Sequence, residues 1–68
     1  MADRGRRIGQ EDVDRLRDWL ERQHAPGADR SDEELREILV GAEEWIHGRR
    51  WSFTIVAANY LRDGVYHA

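Results

Sequence analysis

SDEELREILVGAEEWIHG, residues 31–48, is the stretch whose reading decides the fold. Ser31 followed three places later by Glu34 forms a capping box, in which hydroxyl and carboxylate each accept a backbone N–H that a helix start leaves without a partner. Beyond it Leu35, Ile38, Leu39, Ala42, Trp45 and Ile46 recur at three- and four-residue spacing, which lines apolar side chains along one helical face. Gly48 supplies a stop. Glu33, Arg36, Glu37, Glu43, Glu44 and His47 surround Val40, which at about 100° per residue lies almost opposite the apolar stripe.

Toward the amino terminus the same logic predicts a first helix. With Gly9 as cap, Ile8 before it and Val13 at the fourth helical position make a hydrophobic staple, and Glu11, Asp12 and Asp14 complement the positive end of the helix dipole. Val13, Leu16 and Leu20 form its buried stripe with Trp19 at the margin. Glu11 with Arg15, and Asp18 with Arg22, have the spacing of helical ion pairs. Residues 1–7 lack periodicity and are expected to be a mobile basic tail, leaving residues 8–68 as a single domain. APGADR, residues 25–30, contains the sole proline and suits a link between antiparallel helices.

Toward the carboxyl terminus, Ser52 reads as a third cap, with Trp51 reaching back toward Val56. Phe53, Val56, Ala57, Tyr60 and Leu61 would then form the inward face of a helix ending near Gly64. A competing pattern exists, because WSFTIV is rich in β-branched and aromatic residues and Asp63-Gly64 resembles a two-residue hairpin turn. Ala57-Ala58-Asn59 favours helix. The expected fold is all-α, a small three-helix domain with a short C-terminal tail; the alternative is two helices plus a C-terminal β-hairpin.

Composition narrows the function. A chain of 68 residues buries only about 60% of its unfolded surface and has no room for a deep cleft. There is no cysteine, hence no disulfide framework or thiolate metal site. No apolar run approaches the roughly 20 residues of a membrane span, and Met1–Gly9 is followed by charged helix rather than a signal core, so a cytoplasmic location is expected. All eleven basic residues are arginine. Met1–Gly9 has three arginines against Asp3, a net of +2; Gln10–Gly48 has twelve acids against five arginines, −7; Arg49–Ala68 has three arginines against Asp63, +2. An acidic body argues against general adhesion to nucleic-acid phosphates.

The candidate chemistry is sparse. Glu44-x-x-His47 has the spacing of a carboxylate-bridged metal motif but occurs once, where such a site needs further ligands from other helices. Ser31 and Ser52 have capping roles, Thr54 has no evident base, and the acids lie on exposed faces, so neither catalysis nor a cofactor or metal is expected. A helix-turn-helix DNA-binding regulator is the alternative class, reading DNA through Arg49, Arg50, Asn59 and Arg62. The preferred class is a module that grips a basic protein partner through Glu33, Glu37, Val40, Glu43, Glu44, Trp51 and Ile55. Ile55 points away from the inward face of the third helix, which also suits a homodimer. In physical character alone this combination suits an inhibitor or accessory subunit, including phage or mobile-element inhibitors of the anti-CRISPR type.

Overall fold

Three capped helices account for the architecture of the described residues, and each begins where a cap is encoded. The computed structural model describes residues 8–48 and 51–68; the expected basic tail over residues 1–7, and Arg49 and Arg50, lie outside the described residues. Helix α1 spans Gln10–Arg22, α2 spans Asp32–Ile46 and α3 spans Phe53–Asp63. Among the described residues there is no strand. Asp63-Gly64 thus ends a helix rather than turning a hairpin, with the Gly64 N–H donating to the Tyr60 carbonyl at 2.8 Å.

At α1, Gly9 is the cap, and its N–H donates to the Asp12 carboxylate at 2.9 Å. Ser31 Oγ accepts from the Glu34 N–H at 3.1 Å while Glu34 Oε1 accepts from the Ser31 N–H at 3.2 Å, completing the expected box. Ser52 Oγ accepts from the Ile55 N–H at 3.4 Å. Helix α2 stops at Ile46, with His47 at φ 49° and Gly48 at φ 85° both left-handed beyond it. Glu11 and Arg15 do not pair as anticipated. Arg15 reaches Asp12 at 3.3 Å, whereas Arg22 does meet Asp18 at 3.0 Å.

The core consists of Ile8, Val13, Leu16 and Leu20 from the first helix and its lead-in, Leu35, Leu39, Ala42 and Ile46 from α2, and Val56 and Ala57 from α3. Ile38, Val40, Phe53 and Leu61 pack against it half-buried. Val40 is therefore not the isolated surface valine that its helical angle suggests. A helix packed against two neighbours is covered over a wide arc, and Val40 falls at the edge of that arc.

The α1–α2 link is pinned by a residue that periodicity does not single out. Arg17 donates to the carbonyls of Ala28, at 3.1 Å through Nε, and of Arg30, and pairs with the Asp32 carboxylate at the start of α2. That hydrogen bond first, and then one from Gln10, holds the Asp32 carboxyl below the usual range for an aspartate. The link also meets α3. At Gly27, φ is 106°, a backbone conformation that favours glycine, and an added Cβ would lie 2.9 Å from Leu61 Cδ1, which would have to shift.

The C-terminal tail folds back across α2 and α3. The Tyr66 hydroxyl donates to the Ile38 carbonyl at 3.1 Å, its ring stacks on Tyr60 with centroids 4.3 Å apart, and Asn59 Nδ2 donates to the His67 carbonyl at 2.8 Å. Gly41 makes the seat, since a Cβ there would sit 2.1 Å from the Tyr66 hydroxyl. In Gly41→Ala the gain of about 1 kcal/mol in helix propensity is opposed by loss of one hydrogen bond and one ring contact of similar size. Thermal unfolding should therefore shift by no more than about 1 kcal/mol while the Tyr66 ring loses its ring-current shift on Tyr60 by NMR. An alanine accommodated with Tyr66 still in place would contradict the seat.

Candidate protein-docking surface

Residues left outside the core form three groups of interest. The first is aromatic. Trp45, near the end of α2, and Trp51, ahead of α3, stack with ring centroids 5.1 Å apart and planes 25° apart, and both remain open to solvent, at 39% and 38% exposure. The apolar spacing of α2 predicts an inward Trp45, and this is corrected: near the helix end the stripe outruns the neighbours that could cover it, so Ile46 is buried and Trp45 is not. None of the three tryptophans is fully buried, and Trp19 is half-covered. Trp51 pairs with Trp45, a partner across the connection that the local staple pattern does not reveal.

The second group is acidic. Glu33, Glu37 and Glu44 are exposed on α2, whereas Glu43 is half-buried and lies nearer the core. Spacings of four and seven residues place Glu33, Glu37 and Glu44 along one line of the helix, with Gly41 beside that line. The tail thus delivers the Tyr66 ring among carboxylates. Burial chiefly, and then the proximity of Tyr60 and Glu44, raises the Tyr66 phenol above its ordinary value. Arg30, Glu34, Glu37, Ile38, Tyr60 and Tyr66 enclose a shallow recess of about 350 Å³ at this place.

The third group lines a groove of about 340 Å³ between the end of α1 and α3. Ile55, 36% exposed, is found there with Trp19, Pro26 and Ala58. Of the expected partner-binding residues, Glu33, Glu37 and Glu44 share the α2 surface, while Trp51 lies with Trp45 and Ile55 opens onto the groove; Val40 and Glu43 are partly withdrawn.

The residues proposed for DNA reading are placed differently. Asn59 Oδ1 accepts from Arg62 at 3.2 Å, its amide holds the tail, and Arg62 pairs with Asp63 at 2.9 Å. Arg49 and Arg50 lie outside the described residues. No group of three or more histidine, aspartate or glutamate side chains able to hold a metal occurs among the described residues. No helix of the described residues is long and apolar enough to cross a membrane. No family model matches the chain, and no curated protein or solved structure matches it either.

Sequence reasoning missed Tyr66, Trp45 as a surface residue and the Asp63 cluster. One signal was present: a glycine in the interior of α2 costs helix propensity, and a close approach is the usual reason for it. Asp63 accepts from Arg62 and meets His67 Nε2 at 2.6 Å, and these contacts, Arg62 first, hold its carboxyl down at about 2 against an ordinary 3.8. A depressed carboxyl stabilises the fold fully above its unfolded value and loses that contribution as pH falls toward its folded one. The tail anchorage should thus be intact at pH 5 and weaken between about pH 4 and pH 2. An Asp63 carboxyl midpoint near 3.8, by carbon-detected NMR titration, would contradict the cluster.

Proposed function

We propose that this chain is a non-enzymatic protein-binding module whose acidic α2 surface and adjoining exposed aromatics engage a basic protein partner, as an inhibitor or an accessory subunit. The observation that carries this reading is the solvent-open Trp45–Trp51 stack at the end of a helix whose outer line bears Glu33, Glu37 and Glu44. Tryptophan concentrates binding energy at interfaces because a large rigid surface is desolvated at small entropic cost. Carboxylates beside it select a basic partner and speed encounter. The −7 net charge of Gln10–Gly48 extends that attraction beyond contact distance, over about 10 Å at 0.1 M salt. Asn59 is engaged in holding the tail and Arg62 in its pair with Asp63, which leaves them poorly disposed to read bases and favours a protein over a nucleic acid.

The test begins with crosslinking in the native host to isolate the partner, followed by titration with the purified pair. Affinity should fall as salt rises, and Glu44→Arg or Trp51→Ala should each weaken it by about tenfold with the helical spectrum unchanged. Micromolar binding of duplex DNA that Arg49→Ala with Arg50→Ala abolishes would overturn the proposal in favour of a DNA-binding regulator.

A further inference from the structure

We infer that the recess between α2, α3 and the returning tail receives an arginine side chain of the basic partner, with Tyr60 and Tyr66 offering aromatic surface and Glu37 the carboxylate. The inference rests on the protein-binding reading above and specifies the contact it would make. Three features of the recess converge on a guanidinium.

The first is its wall. Tyr60 and Tyr66 stack at 18° between planes, forming a double aromatic layer beside Ile38. An aromatic face attracts a cation through its quadrupole, and a planar guanidinium can lie flat on such a surface where a compact, strongly hydrated ammonium cannot. The second is its charge. Glu34 and Glu37 outweigh Arg30 in the lining, and Glu44 is near enough to influence the Tyr66 phenol. Glu34 is partly committed, since its Oε1 caps α2 and its Oε2 stands a loose 3.8 Å from Arg30. Glu37 has no such commitment and is exposed at the mouth, so it is the carboxylate that can take paired N–H donors from an incoming guanidinium.

The third feature is construction. Tyr66 reaches the recess only because the tail is seated at Gly41 and fastened through Ile38 and Asn59. A tail held in this way places a ring beside a line of acids on a helix that has no aromatic of its own between Glu33 and Glu44. The volume of about 350 Å³ has room for one long side chain. Arg30 at the edge is the lone opposing charge in the lining and should limit affinity.

The experiment titrates the full chain with the blocked tripeptide acetyl-Gly-Arg-Gly-amide at low salt, followed by NMR, with the lysine and citrulline versions as comparators. Millimolar arginine peptide should shift Glu37, Ile38, Tyr60 and Tyr66 together, the lysine peptide should bind more weakly, and citrulline should leave them unmoved. Glu37→Gln should weaken arginine binding about threefold to fivefold, and Arg30→Gln should strengthen it. Tyr66→Leu should weaken it as well, with helix chemical shifts confirming that the three helices remain. Shifts scattered over every acidic residue, equal response to lysine, or indifference to Glu37→Gln would overturn the assignment. So would undiminished binding of the isolated partner by Glu37→Gln and Tyr66→Leu while Trp51→Ala abolishes it; that pattern leaves the docking function standing and removes the arginine site alone.

Discussion

Arg17 is the point at which the three helices become one arrangement. From the middle of α1 its guanidinium takes two carbonyls of the link and the carboxylate that opens α2, so the direction in which α2 departs is fixed relative to α1. The same link lies against Leu61 at Gly27, which ties α3 to the junction. An apolar core of ten among the described residues leaves small stability to spare, and a non-local clamp of this kind reduces the number of ways the helices can pack. Arginine suits the position because one planar group presents several donors to acceptors in different directions, which lysine does not reproduce.

What the sequence makes legible follows from the range of the interactions involved. The Ser31–Glu34 box and the Ser52 cap involve residues three apart, and all three helices start where such local chemistry places them. The choice between helix and hairpin for the last third also resolves locally, through Ala57-Ala58-Asn59 and the Gly64 stop. Trp45 is different. Its spacing is that of an inward residue, but coverage depends on which neighbours extend past the helix end, and that is a tertiary fact. Arg17, Tyr66 and the Val40 flank share this character: each is defined by contacts eleven or more residues away or by the packing arc as a whole. The ion pairs were legible as a class but not as partners, since Arg15 has carboxylates both three and four residues before it, Asp12 and Glu11, and takes Asp12.

The outward surface has a division of labour that follows from this packing. With Leu35, Leu39, Ala42 and Ile46 turned to the core, α2 presents acids along its outer line and a tryptophan at its end. The tail adds Tyr66 to the same side, so a second aromatic group joins the acids from outside the helix that carries them. That combination, rather than net charge alone, is what the proposed docking to a basic protein rests on.

The central claim is that the Trp45–Trp51 stack belongs to a docking surface and is not what holds the domain together. Urea unfolding of the Trp45→Ala, Trp51→Ala double variant tests it most directly. Two half-open rings should cost no more than about 3 kcal/mol together, so a folded protein with a cooperative transition and near-native helical content is expected. Two core tryptophans would cost about 3 to 5 kcal/mol each, more than a domain of this size can absorb. A double variant already unfolded without denaturant would contradict the claim.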